Sequence, residues 1–192
     1  MDAIVEAALR KWPNVPHCHG WLALDARGDW YMRDERIQAA GPFPGVKGSV
    51  IRHEKLLAFI HRNYAADADG AWFFQNGPQR VYVQLEAAPW IWRLRPPGAG
   101  EPPGVFSHTG LDAGPPDDAW LDESGRLFLH SALGTGLVHS QDIELAADAI
   151  ESGLWRNLPQ GVASLPTRPF STQPQRCGYR LDPRDKPRFV GS

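Results

Sequence analysis

Asp25-Ala26-Arg27-Gly28-Asp29-Trp30-Tyr31-Met32-Arg33 reads as a copy of Asp122-Glu123-Ser124-Gly125-Arg126-Leu127-Phe128-Leu129-His130. Each is an Asp-x-x-Gly turn running into a hydrophobic strand. Each is followed by an amphipathic helix. Val50-Ile51-Arg52-His53 leads to Leu56, Leu57 and Ile60, and Leu137-Val138-His139-Ser140 leads to Ile143, Ala147 and Ile150. An internal repeat constrains architecture more than any single motif, because each copy must find a similar place in the fold. The expectation is two similar α+β units sharing one interior. At 192 residues, with eight Trp and eight Phe, the chain is long enough and apolar enough to fill such a core.

The remaining elements follow from periodicity. Ile4, Val5, Ala8, Leu9 and Trp12 give a helix over 2–12 that stops at Trp12-Pro13. Residues 20–25 and 29–34 form a hairpin, and Gly41, Pro42, Pro44 and Gly45 make 39–48 a loop. A helix is predicted over 53–64. Strands follow at 72–74, 80–86 and 90–94, then at 105–109, 118–121, 126–130 and 136–139, with a helix over 140–152 capped by Ser140. Trp90 and Trp92 share a face that Ile91 opposes, which reads as core packing. The fold class is therefore α+β: two repeated units of antiparallel hairpins and meander, each with one packed helix. An N-terminal helix and an extended Pro-rich C-terminal tail complete it. The units are expected at 1–95 and 104–158, with a Pro/Gly linker between them and the tail at 159–192.

The run from Leu56-Leu57-Ala58-Phe59 through Asp69-Gly70-Ala71-Trp72-Phe73-Phe74 to Arg80-Val81-Tyr82-Val83-Gln84-Leu85-Glu86-Ala87-Ala88-Pro89 resembles a family of uncharacterised proteobacterial proteins. More distantly it resembles a bacterial domain of unknown function with two repeated α+β motifs. That domain shows the same succession of helix, Asp-Gly turn and Val/Ile-rich strand ending in an acidic residue and Pro. The resemblance spans residues 20–155. It implies the repeated fold and a suggested role in signal transduction, and it carries over no catalytic residue.

Composition excludes several function classes. A net charge of −2 gives no general attraction to nucleic acid or an anionic membrane. Two cysteines, Cys18 and Cys177, are too few for a disulfide scaffold. Residues 1–11 carry Asp2, Glu6, Arg10 and Lys11 and so do not resemble a signal peptide, and no apolar run is long enough to span a bilayer. The expectation is a cytoplasmic protein without a membrane partner. The tail is basic: Arg168, Arg176, Arg180, Arg184, Lys186 and Arg188 face only Asp182 and Asp185. Docking of this tail on the acidic body, or disorder, is preferred over nucleic-acid binding.

No nucleophile elbow, phosphate loop, dinucleotide fingerprint or His-Glu-x-x-His is present. His17-Cys18-His19 is a local metal candidate, but in a strand only two of the three share a face. His108, His130 and His139 converge if the strands around Gly134 form a hairpin, which would suit a metal-dependent enzyme; ordinary surface histidines are preferred. Arg52 and His53 stand at a helix start, where an anion can bind or where His53 can cap. Gln75, Asn76, Gln79, Arg80 and Tyr82 form a polar and aromatic cluster on one sheet edge, either a ligand floor or a solvated outer face.

The reading that follows is a non-enzymatic binding or regulatory module. Its site is expected in the cleft between the repeats or on the Arg80/Tyr82 face, with Arg52, His53, Gln75, Asn76, Arg80 and Tyr82 as ligand residues. No catalytic residue, metal or cofactor is assigned. The partner is a small molecule or a protein. The alternatives are the three-histidine metal enzyme and nucleic-acid binding through the tail.

Overall fold

The computed structural model describes residues 2–96, 98 and 100–185. Two compact units are present. Among the described residues, the first comprises 2–25, 29–86 and 178–185, and the second comprises 26–28, 87–96, 98 and 100–177.

The first unit begins with α1 (Ala3–Lys11), which buries Val5. A hairpin of β1 (Cys18–Leu24) and β2 (Trp30–Met32) follows, then α2 (Glu35–Ala40), β3 (Ser49–Val50) and α3 (Glu54–Arg62). A meander of β4 (Tyr64–Ala66), β5 (Trp72–Asn76) and β6 (Gln79–Leu85) completes its six-stranded sheet, in the order β3-β2-β1-β6-β5-β4. Neighbours are antiparallel except β1 and β6, which run parallel. Leu24 stands opposite Trp30 and Tyr64 opposite Phe74. Trp30 packs edge-on against Tyr64, their ring centroids 5.2 Å apart.

The second unit holds β7 (Trp90–Arg95), β8 (Gly104–Ser107), β9 (Asp118–Leu121), β10 (Leu127–Ser131) and β11 (Gly134–Val138), then α4 (Ile143–Glu151). Its sheet order is β8-β7-β11-β10-β9, again antiparallel with one parallel pair, β7 with β11. Trp92, Trp120 and Phe128 are fully buried in its core. The indoles of Trp90 and Trp92 donate to the carbonyls of Leu133 (2.7 Å) and Leu129 (3.0 Å), which satisfies their N–H groups as burial requires.

The repeat is visible in strand order. The β1–β2 hairpin corresponds to β7–β8, the meander β4-β5-β6 corresponds to β9-β10-β11, and in both sheets a parallel pair joins hairpin to meander. The strand-order counterpart of the Asp122 turn is therefore Asp67-Ala68-Asp69-Gly70, not the Asp25 turn with which the sequence aligns it. All three turns are built alike. The Asp carboxylate accepts the backbone N–H four residues on, at Asp29 (3.0 Å), Ala71 (2.9 Å) and Arg126 (2.9 Å). Glycine ends each turn at φ 84, 77 and 76°. A local motif recurs three times within a global unit that recurs twice. The helices differ in placement: α3 precedes its meander and α4 follows its own.

Three expectations are corrected. Residues 96–103 do not link the units; they connect β7 to β8, and the division falls between Glu86 and Ala87 because β7 pairs with β11. Ser140 is not the helix cap. His139 Nδ1 accepts from Gln141 N (3.1 Å), a 3-10 turn spans Ser140–Asp142, and α4 starts at Ile143. Tyr64 leaves the predicted helix to begin β4.

The tail docks. Thr167 bridges Leu121 beside the edge strand β9, with Leu121 N donating to Pro166 O and Arg168 N to Leu121 O. Arg168 pairs with Asp118 (2.7 Å) and lies 4.6 Å over the Trp120 ring. After the short helix α5 (Gln173–Arg176), residues 178–185 belong to the first unit. Lys186 and Arg188, counted in the basic tail, lie outside the described residues.

Candidate functional site

The two faces of the first sheet carry different chemistry. On one, α3 lies beside the strands and leaves an apolar groove of about 270 Å³. Trp21, Leu22, Met32, Ile51, Leu56 and Val81 are among its lining residues, together with Cys18 and Asn76. Trp21 reaches it through a β-bulge. The register of β1 on β6 slips between Cys18 and Leu22, a stretch in which Gly20 takes φ 82°, and the ordinary alternation would have sent Trp21 to the opposite face from Leu22. Trp21 is 39 % exposed and Met32 47 %. Burial pushes the Cys18 thiol pKa up.

Helix α3 borders the groove through Leu56 and Ile60. His53 Nδ1 accepts from Leu56 N at 3.3 Å, so this histidine caps the helix. Arg52 is exposed beside it, between groove residues Ile51 and Leu56 in the chain.

The other face is polar and is covered in part by residues 178–185. Tyr82 is buried there. Its hydroxyl donates to Asp67 (3.0 Å), and the imidazole of His19 stacks on its ring with centroids 4.5 Å apart. His17 meets the same ring edge-on at 5.8 Å. Burial, foremost, raises the Tyr82 pKa. Arg80 places its guanidinium 4.4 Å over the Phe73 ring. Gln75, fully buried, donates to Gly77 O (2.9 Å), and Gln79 donates to Pro16 O (3.0 Å).

Lys47 bridges Asp25 and Glu86, each at 2.9 Å, while Tyr31 donates to Asp25 (3.1 Å). Burial opposes the Lys47 charge, but the two carboxylates outweigh it and hold its pKa above the ordinary value. Arg33, Gln84 and Asp182 form a second polar chain on this face.

The six sequence candidates are thus divided. Asn76 lines the groove and Arg52 and His53 adjoin it. Gln75, Arg80 and Tyr82 engage partners on the opposite side. Trp21, Met32 and Leu56 escaped the sequence reading; the Gly20-Trp21 pair ahead of an alternating strand was the one available signal.

No group of three or more His, Cys, Asp or Glu able to hold a metal ion occurs among the described residues. The proposed histidine triad is dispersed over separate tasks. His108 Nδ1 accepts from Ile91 N (3.3 Å), His130 Nδ1 contacts Asp117 (2.7 Å), and His139 caps the turn before α4. His17 and His19 lie with Tyr82, whereas Cys18 lines the groove. Cys18 and Cys177 are free thiols. Among the described residues no helix is long and apolar enough to cross a membrane.

No curated protein matches the chain. Among solved structures, a DUF1285 family protein from Silicibacter pomeroyi DSS-3 is similar, at 15 % identity and a TM-score of 0.51 over 84 % of this chain and 96 % of that one. A second DUF1285 family protein, from Shewanella baltica OS155, is similar at 16 % identity and a TM-score of 0.45, covering 67 % of this chain and 91 % of that one. The first of these likenesses agrees with the repeated α+β fold and speaks to the fold alone. The family model DUF2944, described as "Protein of unknown function (DUF2946)", matches residues 1–184, and the chain belongs to that family.

Proposed function

We propose that this chain is a non-enzymatic binding module and that the groove between α3 and the first sheet takes a small molecule with an apolar body. The observation that carries this reading is a concave apolar surface with Trp21 and Met32 left substantially exposed beside it. Its volume of about 270 Å³ lies near the lower end of ligand pockets, which run from about 300 Å³ upward. That size suits a small molecule better than a helix or strand of a partner. Asn76 and the exposed Arg52 offer polar groups to fix its orientation.

The chemistry lining the groove is that of a binding surface. The thiol in the groove belongs to Cys18, and burial keeps it protonated. The neighbouring imidazoles of His17 and His19 sit against Tyr82, away from the groove.

A thermal-shift screen of the full chain against small aliphatic and aromatic compounds tests the reading. At least one compound raises the melting temperature, and Trp21→Ala, a change at a partly exposed side chain, abolishes that rise while the fold is retained. A screen without any shift, or a Trp21→Ala variant that responds like the parent, overturns it.

A further inference from the structure

Arg33 is a buried cation with no carboxylate partner among the described residues. It is 2 % exposed. Nη1 donates to Gln84 Oε1 (2.6 Å) and Nη2 to Gly41 O (2.7 Å), and the guanidinium lies 5.8 Å from the Phe43 ring. Its Nε is buried and meets no acceptor. A guanidinium has five N–H donors, and a buried one ordinarily rests on an anion, because an uncompensated charge in the interior is costly.

Among the described residues no carboxylate lies within ion-pair distance of Arg33. Asp182 comes nearest in effect, and it reaches Gln84: Gln84 Nε2 donates to Asp182 Oδ2 at 2.8 Å. The buried amide of Gln84 therefore stands between a cation and an anion that do not touch. Asp182 is already compensated by Arg184, whose Nη2 lies 2.6 Å away and whose backbone N–H donates at 2.9 Å. Burial, foremost, pulls the Arg33 pKa down; Arg184 repels Arg33 and adds to this, while Asp182 attracts it and opposes the shift.

We propose that Arg33 and Gln84 form a carboxylate-binding site on the tail-covered face of the first sheet, and that Asp182 is seated there as a tethered competitor. A small carboxylic acid would take the Gln84 amide from Asp182 and give the Arg33 guanidinium the anion it lacks. Asp182 and Arg184 leave together as a neutral pair, so their departure strands no charge; Arg33 loses the repulsion of Arg184 and the opposing attraction of Asp182, and the incoming carboxylate replaces the latter. Two backbone hydrogen bonds tie the segment to this unit nearby, Leu85 N to Leu181 O (2.8 Å) and Arg180 N to Gly70 O (3.0 Å). A tethered group competes at an effective concentration of roughly millimolar, which sets the threshold a free ligand must overcome. This site is separate from the apolar groove and does not depend on it.

The test titrates the full chain with succinate at pH 7, reading affinity by calorimetry and the Arg33 Nε–H resonance by NMR. Asp182→Ala binds succinate about tenfold more tightly than the parent, and the Arg33 resonance moves on titration. Gln84→Glu, nearly isosteric, supplies Arg33 with an internal carboxylate. It stays folded, as its circular dichroism will report, and loses succinate binding. Affinity unchanged by Asp182→Ala, a static Arg33 resonance, or a Gln84→Glu variant that binds like the parent each overturns the proposal.

Discussion

Gly70 and Gly125 hold the same position in strand-equivalent turns, at φ 77 and 76°, yet their surroundings differ. A Cβ on Gly125 would point into open space, whereas one on Gly70 would strike the backbone carbonyl of Gly178. Gly125→Ala therefore carries only the cost of a left-handed backbone, about 1 kcal/mol. Gly70→Ala bears that cost and also pushes away residues 178–185. Denaturant melts will show the Gly70 variant as clearly the less stable, and hydrogen exchange at Leu85, whose N–H is bonded to Leu181 O, will accelerate in that variant alone. His61 gives a second residue-scale prediction. Its Nε2 accepts from the Trp30 indole (3.1 Å), and burial lowers its pKa from 6.5. The folded state then binds fewer protons than the unfolded state around and just below pH 6.5, so stability rises with pH through this window and falls as it is acidified. The melting temperature drops between pH 7.5 and 5.5. His61→Gln flattens that slope, leaving the share from His19, whose pKa burial also lowers.

At the scale of elements, both amphipathic helices are introduced by a histidine cap, His53 before α3 and His139 before the turn leading to α4. His53 is exposed, so its substitution reads the cap cleanly. His53→Ala costs about 1 kcal/mol and His53→Asp recovers it, since aspartate both caps and favours the positive end of the helix. Urea unfolding midpoints will rank the variants in that order. Helix α3 was legible from its apolar spacing, and the central strands from their alternation. The short elements α2, β3 and β4 were not, because two to six residues leave too little pattern. The parallel pairing of β1 with β6 was also hidden, since side chains alternate identically in parallel and antiparallel strands.

Across the whole molecule, the tail is structural in the second unit. Residues 166–168 cover the β9 edge, Arg168 packs on Trp120, and Phe170 lies 6.3 Å from Phe128 with Arg126 stacked on it at 4.4 Å. Deleting residues 166–192 uncovers an apolar strand edge beside two core aromatics. The truncated chain will melt at a lower temperature and aggregate on heating, as light scattering will record.

The presence of a repeat, the α+β class and the positions of the long elements were determined by the sequence, because turn chemistry and apolar periodicity are local properties read over a few residues; which turns correspond was not, since strand order pairs the Asp122 turn with Asp67 and not with Asp25. The candidate site was legible only in fragments. Alternation places Arg80 and Tyr82 on one face, but it cannot foresee that His19 and Asp67 engage Tyr82 while Arg80 lies over Phe73, nor that a register slip between Cys18 and Leu22 brings Trp21 to the groove. Arg33 reads as an ordinary strand-end arginine until Gln84, 51 residues on, and Asp182, a further 98, are brought beside it. Tertiary structure decided those features because burial and charge compensation depend on what covers a face. In this chain the cover comes from residues remote in sequence.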